Sequence, residues 1–130
     1  MSERLLAATN AHDLDALVAC FAPDYQLEMP VHPSRNFRGN DQVRKNWSQL
    51  FAAIPDLSCS IVRSARVGDT EWTEWEMRGT RRDGAVHHLR GVIIFGTRGD
   101  AITWGRFYLE PVAAGSSTVD DAIRSATGQP

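Results

Sequence analysis

Cysteine is scarce. The 130 residues hold two, Cys20 and Cys59, and they are not in CxxC spacing. That excludes a disulfide framework and a zinc knuckle, and it fits a reducing cytoplasm. Long hydrophobic runs are missing too. No apolar stretch approaches the ~20 residues needed to span a bilayer. The opening residues, Met1-Ser2-Glu3-Arg4-Leu5-Leu6, show no cleavable-signal pattern, so a cytoplasmic location is expected. Charge of one sign is not concentrated anywhere. The 14 basic and 16 acidic residues leave a formal charge of -2, which argues against a nucleic-acid partner. No glycine-rich phosphate loop exists, so no nucleotide cofactor is expected. His87 and His88 are neighbours on a strand pattern and point to opposite faces, with His12 and His32 remote. No metal site is expected either.

What is present is a good ratio of core to surface residues. Hydrophobic residues make up 42% and charged residues 23%, enough for one packed domain. The first half has helical period. Ser2 is placed to cap a helix carrying Leu5 and Leu6. Asp13 is placed to cap a second, with Leu14, Leu17, Val18 and Phe21 on one stripe and Pro23 ending it. Residues 25–31 read as a short strand or extended segment. Asn40 or Asp41 caps a third helix with Val43, Trp47, Leu50, Phe51 and Ile54 on its apolar face, stopped at Pro55-Asp56.

The second half changes to period two. Strands are predicted over about 57–67, 70–80, 85–97 and 101–111. They break at Gly68-Asp69, Asp83-Gly84 and Arg98-Gly99-Asp100, the last read as a turn and nothing more. Helices followed by an antiparallel meander give an α+β class, with helices on one face of a curved sheet. Residues 1–112 read as the domain. The tail, 113–130, is rich in Ala, Gly, Ser and Thr, and reads as a weak helix over Val119–Ala126 or as disorder.

This order resembles the nuclear transport factor 2-like superfamily, and within it the SnoaL-like group, over about residues 5–111. The stretches that carry the resemblance are Asp13 to Tyr25, Phe37-Arg38-Gly39 with Val43 and Trp47, and Leu50-Phe51 to Leu57. They continue with Trp75 to Thr80, Asp83-Gly84, Gly91 to Phe95 and Ile102 to Tyr108. The resemblance implies a cystatin-like α+β cone, with three N-terminal helices packed on a curved, mostly antiparallel sheet. It does not imply one reaction, since the fold hosts cyclases, isomerases, dehydratases, epoxide hydrolases and binders. Against limonene epoxide hydrolase, the proton-donating Asp falls on Glu76, the bridging Arg on Glu74 and the water-activating Asp on Phe107. The water-orienting Tyr and Asn fall on Gln26 and Glu28. The His and Asp of SnoaL-type cyclases fall near Ile93 and Phe107. The general base of steroid isomerases falls near Leu27-Glu28-Met29-Pro30.

A two-residue turn at Asp83-Gly84 would pair Glu76 with Gly91, Glu74 with Ile93 and Arg78 with Leu89. Gly105, Phe107 and Leu109 would share that face. The family register aims this face into the cone, and Gly91 and Gly105 would leave room beside two carboxylates. Glu76, Glu74 and Glu28 are then the candidate acid-base residues. Gln26, Trp47, Arg78, Leu89, Gly91, Ile93, Gly105, Phe107 and Leu109 are the candidate substrate contacts. Glu74 and Glu76 would lie about 6–7 Å apart, close enough to raise a carboxyl pKa in an apolar cavity. The plainer alternative is a solvated strand face with Arg78, Arg63 or Arg66 answering the charges. The opposite face, with Trp75, Arg90, Val92, Trp104, Arg106 and Tyr108, has interface composition and predicts a homodimer.

Three functions remain open on these residues. One is a cofactor-independent enzyme acting on a small apolar or polycyclic molecule by acid-base chemistry. The others are a non-catalytic binder and an assembly module. A cavity of about 300 Å³ or more with a buried carboxylate favours the enzyme. The same cavity with every carboxylate at the surface favours the binder.

Overall fold

A computed structural model describes residues 1–130. Two short helices open the chain, α1 (Ser2–Asn10) and α2 (Leu14–Val18). Asp13 caps α2 through a hydrogen bond that its Oδ1 accepts from the Ala16 amide at 3.0 Å. The α2 stripe stops short of Phe21, which instead opens strand β1 (Phe21–Glu28). Pro23 therefore lies inside a strand rather than ending a helix. It sits where the pairing of β1 shifts register between Phe21 and Gln26, so its missing N–H costs no ladder bond.

A 3-10 turn at Pro33–Arg35 leads to the two-residue strand β2 (Phe37–Arg38). Helix α3 (Asn40–Ala53) follows, and its N-cap is Gly39 at φ 95°, not Asn40 or Asp41. Four long strands follow: β3 (Ser58–Val67), β4 (Thr70–Thr80), β5 (Val86–Arg98) and β6 (Ala101–Pro111). A last helix, α4 (Val119–Thr127), starts with a reciprocal cap between Thr118 and Asp121.

The strands form one curved sheet in the order β2-β1-β6-β5-β4-β3. All pairs are antiparallel except β1 with β6, which run parallel. The first three helices cover the concave face. Asn10 joins α1 to the sheet by gripping the Cys59 backbone. Its Nδ2 donates to the Cys59 carbonyl at 2.9 Å, and its Oδ1 accepts from the Cys59 amide at 2.7 Å. His12 stacks on Phe51 of α3 with ring centroids 4.5 Å apart.

The β4–β5 register differs from expectation. The turn is not confined to Asp83-Gly84. Thr80 pairs with Val86, and Arg81–Ala85 form a five-residue connection closed by the Arg81 amide donating to the Ala85 carbonyl. Trp75 therefore faces Gly91, Glu76 faces Arg90 and Glu74 faces Val92. A one-residue slip exchanges the two faces of a whole strand. Thr73, Trp75 and Met77 point into the core, and Trp75 is 1% exposed. Glu74, Glu76 and Arg78 point out. The β5–β6 pairing keeps the expected faces, with Phe107 opposite Ile93 and Leu109 opposite Gly91.

The two glycines do not open space. A Cβ at Gly91 would stand 2.1 Å from the Tyr108 carbonyl oxygen, so this glycine permits a close approach of β6 backbone. A Cβ at Gly105 would stand 2.5 Å from the Tyr25 hydroxyl, which already occupies that volume.

Candidate functional site

The concave side of the sheet, α3 and the 3-10 turn enclose a cavity of about 360 Å³. It is lined by 18 residues, 13 of them hydrophobic, which sets its chemistry as apolar. Each wall follows from a local pattern. Trp47 and Leu50 come from the apolar stripe of α3, together with Val43. Tyr25 and Leu27 are the inward alternates of β1. Met77, Leu89, Phe107 and Leu109 are the inward alternates of β4, β5 and β6. Trp47 packs against Phe51 at 5.6 Å between ring centroids, which fixes the indole at the wall.

Of the residues singled out in the sequence, Trp47, Leu89, Phe107 and Leu109 line this cavity. Ile93 is in the core, 3% exposed, and not in the lining; Gly91 and Gly105 mark close contacts. Glu76, Glu74, Arg78, Gln26 and Glu28 are on the outer face of the sheet, away from Trp47 and Phe107. For Glu74, Glu76 and Arg78 the reason is the strand parity set by the five-residue connection, while Gln26 and Glu28 are the outward alternates of Tyr25 and Leu27 on β1. Trp75 is corrected in the opposite sense: it is a core residue and not part of the outer face.

Glu76 is answered by a histidine and two arginines. His88 Nε2 lies at 3.0 Å, Arg78 Nη2 at 3.2 Å and Arg90 Nε at 3.3 Å from its Oε2. The His88 hydrogen bond, ahead of the two arginines, holds its carboxyl below the ordinary carboxylate range. Such a group is an anion at neutral pH and no general acid. Glu74 pairs with Arg63 at 3.0 Å, and Glu28 with Arg106 at 3.3 Å, both on the outer face.

The polar groups that do reach the cavity are Tyr25, Arg35, Asn46, His87 and Glu110. Tyr25 is 1% exposed, and burial pushes its phenol pKa up, so it stays a donor at neutral pH. His87 is held neutral mainly by burial and also by the Arg81 charge, both of which lower its pKa. Glu110 accepts from, or pairs with, His32 Nε2 at 2.8 Å. Cys20 and Cys59 are free and buried, and desolvation raises both thiols, Cys59 to about 12. Neither is a nucleophile. His87 was legible in the pattern, since two-residue alternation back from Leu89 reaches it. Arg35 and Asn46 carried no sequence signal, because a turn and a helix bring them to the rim only in three dimensions.

The model of the SnoaL-like domain family matches residues 2–104. The chain belongs to that family. No curated protein matches the chain. Solved structures share the fold at low identity. A Catenulispora acidiphila protein with a ketosteroid isomerase-like fold, in complex with trimethylamine, is 21% identical with TM-score 0.71, over 99% of this chain and 92% of that one. A Mycobacterium tuberculosis protein in complex with estradiol-17β-hemisuccinate is 19% identical with TM-score 0.70, over 82% and 88%. A computationally designed 17-OHP binder is 21% identical with TM-score 0.70, over 82% and 88%. At these identities the likeness is one of fold, and the SnoaL-like family includes both isomerases and binding proteins.

Proposed function

We propose that this SnoaL-like chain binds one small apolar molecule, of ring-system size, inside its cone. The observation that carries this reading is the 360 Å³ cavity with 13 hydrophobic lining residues and every strand carboxylate but Glu110 turned away from it. Burying an apolar body there gains about 25 cal/mol per Å² of surface removed from water. Related cones in complex with a steroid ester, or designed to bind 17-OHP, support the size class. Native mass spectrometry of the purified chain, followed by organic extraction, tests it. A co-purifying apolar molecule, or uptake of a steroid added in stoichiometric amount, supports the reading. An empty chain that refuses every steroid and polycyclic phenol offered sinks it.

A catalytic reading is favoured by a different residue from those expected. His87 is a neutral imidazole in the lining, and Tyr25 is a protonated donor in the same cavity. Together they would move a proton within a bound ligand, as an isomerisation or cyclisation needs. Turnover that His87→Ala abolishes while binding persists would establish this second reading.

We also propose that a second copy covers the outer face of the sheet through Arg90, Val92, Trp104, Arg106 and Tyr108. Trp72 is 49% exposed and Tyr108 36% exposed on this face. Its charges are paired within the face, Glu76 with Arg90 and Glu28 with Arg106, which leaves the aromatic surface of Trp72 and Tyr108 for a partner copy to cover.

A further inference from the structure

The cavity binds more than apolar surface, because its free hydrogen-bonding capacity is lopsided. Glu110 is the one carboxylate in the lining, and His32 already engages it at 2.8 Å. The other polar side chains can all donate, and only His87 and Tyr25 can also accept. Asn46 Oδ1 is taken by Gln42 Nε2 at 2.8 Å, which leaves the Asn46 amide hydrogens free. His87, as a neutral imidazole, has one N–H to give. Arg35, at the end of the Pro33–Arg35 turn, makes no ion pair and no side-chain hydrogen bond. It is the one cation in the lining without a carboxylate partner. An apolar cavity whose rim offers an unpaired guanidinium and neutral donors is complementary to a molecule with an apolar body and one anionic end.

We propose that the natural ligand is such an amphiphilic anion, with its apolar body among Trp47, Leu89 and Phe107 and its anionic oxygen group on Arg35, assisted by Asn46 or His87. This rests on the binding reading above and adds the ligand's charge to it.

The test uses two probes that share one ring body. 1-Anilinonaphthalene-8-sulfonate carries an anionic group, and N-phenyl-1-naphthylamine does not. Both are titrated by fluorescence into the full chain, into Arg35→Gln and into Leu89→Trp. Arg35 is exposed, so its replacement should leave the fold intact. The expected result is a loss of about tenfold in sulfonate affinity in Arg35→Gln, within the range for charge-assisted bonds, with the neutral probe unchanged. Leu89→Trp should weaken both probes, since it fills the cavity. If Arg35→Gln weakens neither probe, or both equally, the anion-binding proposal is overturned while the cavity reading stands. If Leu89→Trp leaves sulfonate binding untouched, the probe sits elsewhere and the proposal is overturned. If neither probe binds the unaltered chain, this proposal and the binding reading fall together.

Discussion

Trp75 lies directly opposite Gly91 across the β4–β5 ladder. This one pairing decides which side of β4 is inside. The indole is 1% exposed, and its Nε1 donates to Thr73 Oγ1 at 2.6 Å. The Thr73 hydroxyl in turn donates to the Ile93 carbonyl at 2.7 Å. The chain of donors satisfies every polar atom that Trp75 brings into the core. Its even-numbered neighbours, Glu74 and Glu76, are therefore outside.

Trp75→Ala should destabilise the domain by about 3–5 kcal/mol, as for a large aromatic removed from a packed core. Trp75→Phe should cost less, since it keeps most of the ring volume and loses the bond to Thr73. Urea unfolding at neutral pH ranks the two. Equal costs would mean that the indole N–H matters more than the packing.

Glu76→Gln should leave ligand uptake unchanged, because the carboxyl is on the far side of the sheet from the cavity. It should lower stability at neutral pH by leaving His88, Arg78 and Arg90 around an uncharged group. The folded-state pKa of Glu76 is depressed. Its contribution is therefore present above the unfolded value, about 4.3, and is lost as pH falls through the folded value. Melting curves of both chains should converge once the pH has fallen through that depressed folded value. A gap that persists in acid would contradict the ion-pair origin.

Gly91→Ala should disrupt the β5–β6 pairing, since its Cβ would meet the Tyr108 carbonyl oxygen at 2.1 Å. The cost should match overpacking of a rigid backbone, about 1–3 kcal/mol or more. Gly115→Ala, where nothing lies within 4 Å, is the control and should be near neutral. Thermal unfolding compares them, and equal melting points would refute the close approach.

Trp104 and Tyr108 give the assembly test. Sedimentation at low micromolar concentration should give twice the chain mass. Tyr108→Glu should shift the species to a monomer without changing the circular dichroism. A monomeric parent chain would remove the outer face from consideration as an interface.

The sequence determined the element plan, because that plan is local. Alternation over about 57–67, 70–80 and 101–111, broken by Gly68-Asp69 and Arg98-Gly99-Asp100, needs no knowledge of partners. The same holds for the α3 stripe from Val43 to Ile54, and for the Asp13 cap. Part of the cavity was legible for that reason: Trp47, Leu89, Phe107 and Leu109, four of its 18 lining residues, lie on faces that each element's own period defines. Which face of β4 met them was not local. It hung on whether two residues or five connect β4 to β5, and Asp83-Gly84 is compatible with both. With alternation of period two, that count sets the parity of Glu74, Trp75 and Glu76 together. Only the tertiary structure decided it, because burying Trp75 against Gly91 while leaving Glu76 to His88, Arg78 and Arg90 avoids placing two carboxylates in an apolar cone. The rim was decided the same way. Arg35, Asn46 and His87 come from a turn, a helix and a strand, and no sequence spacing relates them until the sheet curves and brings them around one opening.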